Sequence, residues 1–232
     1  MNLINKIKTL IQQDFLKNVL TLMTGTTIAQ LLPILVSPLL TRMYTPNDFG
    51  VYALYVSIIS ILSVIVTLRY EFAIMSPKKR EDALSVFCLS LLTSFIISFC
   101  LLIITILFNR NIIDLLGNQN LIKWIYFIPL NTFLLGVIQT FNYWFNREKL
   151  FKVLSTSRVI QTFANVIPNI VLGLIYKNEL GLILGNILGA TASVVYLSYK
   201  FIANKNVLYE LGKSISWLKI KEQALLYNEY PK

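Results

Sequence analysis

Apolar residues along this chain gather into six long stretches, separated by short segments that hold nearly all the charge. The stretches are Val19–Leu40, Val51–Leu68, Ala83–Phe108, Trp124–Phe145, Val153–Tyr176 and Leu180–Tyr199. Each is close to the roughly 20 residues with which a helix crosses a hydrocarbon core about 30 Å thick. The pattern predicts an all-α integral membrane protein built as a six-helix transmembrane bundle over 19–199. The segments Thr41–Gly50, Asn109–Lys123 and Lys177–Glu179 are short. Short connections favour antiparallel neighbours, so three hairpins are expected to stack into one bundle.

Charge orients the bundle. Of the 21 Lys and Arg residues, 17 fall on one alternate set of segments, leaving Arg42, Arg110, Lys123 and Lys177 on the other. Cytoplasmic loops carry the basic excess, so both termini are expected in the cytoplasm, and removing any one helix would scramble the bias. Residues 1–18 place Leu3, Ile4, Ile7, Leu10, Ile11 and Phe15 on one helical face, which predicts an amphipathic helix on the inner leaflet. Residues 200–232 repeat Leu208, Leu211, Ile215, Leu218 and Leu225 at similar spacing and predict a cytoplasmic amphipathic linker helix, tethered by its lysines and Trp217.

Composition narrows the function. With 56% hydrophobic and 14% charged residues, the chain has too little polar surface for a soluble domain of 232 residues. A net charge of +10 set in short loops beside apolar spans points to lipid headgroups as counter-charge, not to nucleic acid. The first span is too long for a signal-peptide core and is expected to remain as a helix. Cys88 and Cys100 lie twelve residues apart in one span, about 18 Å along a helix at 1.5 Å per residue, and cannot pair with each other. The chain has no histidine, no cysteine pair at metal-ligand spacing and no GxxxxGK loop. No metal site, histidine base, nucleotide hydrolysis or other cofactor is therefore expected.

Inside the spans, Pro33, Pro38, Pro129 and Pro168 each remove a backbone hydrogen bond. They are read either as plain kinks or as bends that open a cavity. Gly181, Gly185 and Gly189 form a double GxxxG that lets a neighbouring helix approach, a packing role. Asn131, Gln139, Asn142, Gln161, Asn165, Asn169 and Asn186 form a neutral polar set suited to bonding one another or a sugar. Charges within spans are costly and mark candidate sites. Arg158 is the deepest; it either snorkels to headgroups or faces a central cavity and binds phosphate. Arg69 and Glu71 stand at the inner end of the second span, where they can pair with each other or with loop charges, and Arg147 at the inner end of the fourth. No Asp or Glu lies near the middle of a span, whereas an exporter of cationic drugs needs a buried carboxylate. What remains suits an anionic, hydroxyl-rich cargo.

Four runs then stand out: PLLTRMYTPNDFG at Pro38–Gly50, LRYEFAIMSPKKRED at Leu68–Asp82, YWFNREKLF at Tyr143–Phe151 and GLILGNILG at Gly181–Gly189. In order and spacing they resemble the N-terminal half of the polysaccharide biosynthesis or O-antigen flippase family, within the multidrug, oligosaccharidyl-lipid and polysaccharide exporter superfamily. The ending YNEYPK resembles the segment before that family's seventh helix. The resemblance implies one half of a twelve- to fourteen-helix alternating-access carrier. Such a carrier moves undecaprenyl-diphosphate-linked oligosaccharide across the cytoplasmic (inner) membrane for O-antigen, lipopolysaccharide, capsule or exopolysaccharide synthesis. It also implies a partner, either a second six-helix half or a second copy of this chain, and makes Arg69, Glu71 and Arg147 family-typical positions. Arg158 is added from its burial cost alone. Rival readings are a drug or metabolite exporter of the same superfamily and a membrane scaffold without transport; an enzyme is not expected, since no acid and base converge in the spans.

Overall fold

The computed structural model of the protein describes residues 2–117, 119–204, 207, 209–210, 217–227 and 229–230, and only the backbone of 2–19, 110, 113–116, 119, 217 and 218. Among them there is no strand. The helices are α1 (Asn2–Met43), α2 (Pro46–Ile65), α3 (Tyr70–Ala73), α4 (Arg80–Leu116), α5 (Phe127–Arg147), α6 (Phe151–Tyr176), α7 (Leu180–Ile202) and α8 (Trp217–Leu226), with a 3-10 turn at Gln119–Lys123 before α5.

Five of the described segments are long and apolar enough to cross a membrane: Leu20–Met43, Pro46–Ile65, Arg80–Asn109, Phe151–Tyr176 and Leu180–Ile202. The protein is thus an all-helical, multi-pass membrane bundle. The stretch expected as a further crossing, Trp124–Phe145, is not among the five. Its helix α5 has 21 residues but carries Asn131, Thr132, Gln139, Thr140, Asn142 and Asn146. The reason is position. α5 is packed by α2, α3, α4, α6 and α7, and Asn131, Thr132 and Thr140 are fully buried. A helix enclosed by other helices meets little lipid and tolerates polar side chains that bond within the bundle.

The hairpin expectation holds for α4 with α5 and for α6 with α7, which pack along each other, but not for α1 with α2. Those two are joined by Tyr44 and Thr45 alone, yet α1 lies along α6 while α2 lies along α5 and α7. A capping box starts α2: Thr45 N–H donates to Asp48 Oδ2 at 2.7 Å, Asp48 N–H returns to Thr45 Oγ1 at 3.3 Å, and Pro46 needs no donor at this position. α1 meets α6 where Gly25 faces Ser155 so closely that a Cβ at Gly25 would stand 2.9 Å from that of Ser155.

No break separates residues 2–18 from the first span, because α1 is a single helix of 42 residues, Asn2–Met43. α4 runs past the expected boundary and kinks at Phe108 (φ −117°, ψ 21°). Between α2 and α3, Leu68 (φ 49°) and Arg69 (φ 58°) are consecutive left-handed residues with side chains, a conformation that costs about 1–2 kcal/mol per residue. Beyond α7, Leu208, Leu211 and Ile215 of the expected amphipathic series lie outside the described residues. In α8, Gln223 is buried and Leu225 exposed. The C-terminal segment folds back on α4: Lys219 meets Glu81 at 3.5 Å, and Tyr230 shares a 2.7 Å hydroxyl bond with Ser76.

Among the described residues a small apolar core, Leu40, Tyr44 and Leu182, sits at the α1–α2 turn, and two larger ones hold the bundle. One stacks Phe87 on Phe201 at 4.8 Å, with Phe141 and Trp144 edge-on or tilted beside them. The other gathers Val51, Tyr55 and Ile59 of α2 against Ile128, Ile183 and Ile187.

Candidate functional site

The basic end of the bundle is formed by the 66–82 elbow, the α5–α6 turn and the segment after α7. Arg147, on the last turn of α5, reaches across to that elbow. Its Nη1 donates to the carbonyls of Ile74 (3.0 Å) and Met75 (3.3 Å), and its Nη2 to that of Pro77 (2.6 Å). These carbonyls, from the C-cap of α3 and the turn after it, have no helical partner, so the guanidinium acts as a cap for them. Its donors are thereby committed to the fold.

Arg80 is also committed. It grips Glu148 through Nε (3.2 Å) and Nη2 (3.0 Å), reaches Glu210 through Nη1 (3.3 Å), and lies 6.0 Å from the ring centre of Trp144. Sequence reasoning missed this network because its members are far apart in the chain.

Arg69 and Glu71 sit close together but form no salt bridge, and no carboxylate is paired with Arg158 among the described residues. Arg69 is exposed at the elbow, while Glu71 is only 5% exposed and accepts a hydrogen bond from Thr67 Oγ1. Burial pushes the Glu71 carboxyl above the ordinary carboxylate range, against the opposing pull of the Thr67 hydroxyl, its own backbone N–H and Arg69.

Arg158 has a different setting. It stands at the wall of a cavity of about 310 Å³ between α1, α5 and α6, lined with Leu22, Asn142, Tyr143, Asn146 and Leu154. On its other side a recess of about 290 Å³ is bordered by Met23, Thr26 and Thr27 of α1. Nη1 donates to Thr26 Oγ1 at 2.7 Å, and among the described residues Arg158 is the one charged side chain lining either space. A guanidinium beside amides and hydroxyls offers planar paired donors for an anion, with neutral groups at hand for its substituents. Arg69, Glu71 and Arg147 do not line this cavity. Tyr143 connects the two regions: it lines the cavity, and its ring meets that of Phe72 in α3 edge-on at 5.0 Å.

The neutral polar set divides. Asn131 donates to Asn186 Oδ1 at 2.6 Å and to Tyr55 Oη at 3.3 Å, while Asn186 donates to Tyr52 Oη at 3.4 Å, a layer joining α2, α5 and α7. Asn165 and Asn169 serve the α6–α7 seam. There a Cβ at Gly185 would stand 2.6 Å from the Asn165 carbonyl, and one at Gly189 2.7 Å from that of Gln161; Gly181 faces Gly173 and Tyr44. Only Asn142 of the set lines the Arg158 cavity. Among the described residues no three acidic, cysteine or histidine side chains gather as a metal site would require.

A model of the polysaccharide biosynthesis protein family matches residues 39–215, well over half of the 232. The chain belongs to the polysaccharide biosynthesis protein family. No curated protein and no solved structure matches it. The family match takes in α2 to α7 whole, and with them Arg69, Glu71, Arg147, Arg158 and the three seam glycines. Leu22, which lines the Arg158 cavity, and Thr26, which borders the adjoining recess, come from the part of α1 that precedes the matched segment.

Proposed function

We propose that this member of the polysaccharide biosynthesis family is a carrier, not an enzyme, and that it moves an undecaprenyl-diphosphate-linked oligosaccharide from the inner to the outer leaflet of the cytoplasmic membrane. One observation carries the reading: Arg158, exposed and with no carboxylate partner among the described residues, lines a cavity of mixed polar and apolar side chains at the basic end, where a phosphate would be met first. In this reading α5 is a sixth crossing sheltered by its neighbours, and both termini face the cytoplasm by the basic bias of the loops. The diphosphate is engaged by the Arg158 guanidinium through charge-assisted bonds, Asn142 and Asn146 meet sugar hydroxyls, and the lipid tail stays in the bilayer. A second bundle, whether another six-helix half or another copy of the chain, closes the pathway on the open side of α1 and α6 and alternates access.

The test is genetic and chemical. In cells lacking the gene, reintroduced wild-type protein restores glycan export, while Arg158→Ala at equal membrane abundance leaves lipid-linked oligosaccharide to accumulate on the inner leaflet. Normal export by Arg158→Ala would sink the assignment.

A further inference from the structure

The carboxyl of Glu71 and the elbow before it form a unit that the cargo pathway does not use. Glu71 is 5% exposed, and the salt bridges among the described residues engage Glu81, Glu148 and Glu210, not Glu71. In place of a cation it has a hydroxyl, Thr67 Oγ1, which donates to Oε2. Thr67 is itself held, since Thr93 Oγ1 of α4 donates to its carbonyl at 3.2 Å.

The charged and titratable groups around Glu71 are few. Arg69, from its own segment, is exposed and outside ion-pair distance. From α5 come Tyr143, within electrostatic reach, and Arg147, which takes the Ile74 carbonyl instead of the carboxylate. α4 presents the neutral Thr93. An ionised carboxylate removed from water without a cation is poorly placed, so the site favours the neutral acid. The direction of the Glu71 shift agrees with this.

The elbow supplies a hinge. Leu68 and Arg69, both at positive φ, are the strained joint between α2 and the four-residue α3. Phe72, the neighbour of Glu71, carries that helix onto Tyr143 and so onto the wall of the Arg158 cavity.

We propose that Glu71 is a proton-binding site that sets the position of α3: protonated, α3 stays docked on α4 and α5; ionised, α3 turns outward at Leu68–Arg69 and the carboxylate reaches water and Arg69. The step is a simple protonation. A proton from water at the basic end binds one carboxylate oxygen and leaves by the same route, with no other bond made or broken. Proton occupancy then moves one wall of the cavity. That link to the cargo rests on the function proposed above, whereas the proton site does not.

The test uses the full chain in lipid nanodiscs and needs no transport assay. Infrared difference spectra across a pH series read the neutral-acid carbonyl band, and hydrogen–deuterium exchange, corrected for the intrinsic pH dependence, reads backbone protection over 68–76. The wild type is expected to keep the acid band above the ordinary carboxylate range, then lose it together with protection as pH rises. In Glu71→Gln the band is absent and protection persists at every pH. Thr67→Val, which removes the hydroxyl bond that favours the ionised form, moves the wild-type midpoint upward. Three outcomes overturn the proposal: a band lost within the ordinary carboxylate range, equal pH dependence of exchange in Glu71→Gln, or a midpoint unmoved by Thr67→Val.

Discussion

The phenol of Tyr44 donates a 2.6 Å hydrogen bond to the main-chain carbonyl of Asn169, 125 residues away. The ring lies where Gly173 of α6 and Gly181 of α7 leave room: a Cβ at Gly173 would stand 2.6 Å from the hydroxyl. This contact pins the α1–α2 turn onto the α6–α7 seam and explains why α1 and α2 part company after a two-residue connection. Tyr44→Phe, which keeps the ring but loses the bond, is expected to lower stability by about 1 kcal/mol, read by thermal unfolding in detergent.

The same residue sets a response to alkali. Burial, helped by the charge of Asp48, pushes the Tyr44 phenol up to about 12 from 10.0. Because the folded-state value is the higher one, its contribution is intact below pH 10 and is lost as the pH climbs through 12. The wild type should therefore lose stability over that window more than Tyr44→Phe does, and parallel alkaline curves for the two proteins would refute the assignment.

Gly185 lies in the α6–α7 seam, where the obstacle to a side chain is backbone, the Asn165 carbonyl, which cannot swing aside. Gly185→Leu should force the helices apart and cost about 1–3 kcal/mol. Gly50, with nothing near its Cβ position, is the control, and Gly50→Ala should cost far less. Equal melting temperatures for the two variants would contradict the seam.

Arg147→Ala should free the carbonyls of Ile74, Met75 and Pro77 and destabilise the elbow by about 2 kcal/mol, with faster proteolysis between α3 and α4 as the readout. Lys in its place offers one donor centre and restores only part of the protection. An unchanged cleavage rate in Arg147→Ala would remove the capping role.

Arg80 shows how little a surface network need contribute. Its side chain and that of Glu148 keep 30% and 22% of their exposure, so Arg80→Ala should cost about 1 kcal/mol or less, and the loss should shrink in high salt. A large, salt-independent loss in a salt series of melting curves would show that packing on Trp144 matters more than the charges.

Much of the fold was legible because hydrocarbon is a demanding solvent. It requires long apolar helices, and the spans around 19–40, 51–68, 83–108, 153–176 and 180–199 announce themselves at nearly their observed positions. Helix α5 was read from sequence as a crossing like the others, yet it is not among the five long apolar spans, since Asn131, Thr132 and Thr140 are polar in sequence and buried in the bundle. The elbow was not legible at all. Nothing in the residues Leu68 and Arg69 announces a left-handed backbone, which joins α2 to a short α3 that Thr67 and Arg147 hold through hydrogen bonds to Glu71 and to the carbonyls after it.

By itself the sequence determined that the chain is helical, that its apolar segments suit a membrane, that its basic residues lie to one end, and that α7 carries a face of glycines. Those follow from local spacing and from solvent. Tertiary structure decided which helices touch and which arginines are spoken for. Arg147 and Arg158 are both arginines toward the basic ends of their spans in sequence. Three orphan carbonyls lie within reach of the first, a cavity beside the second, and only the packing of α1, α3, α5 and α6 places those surroundings.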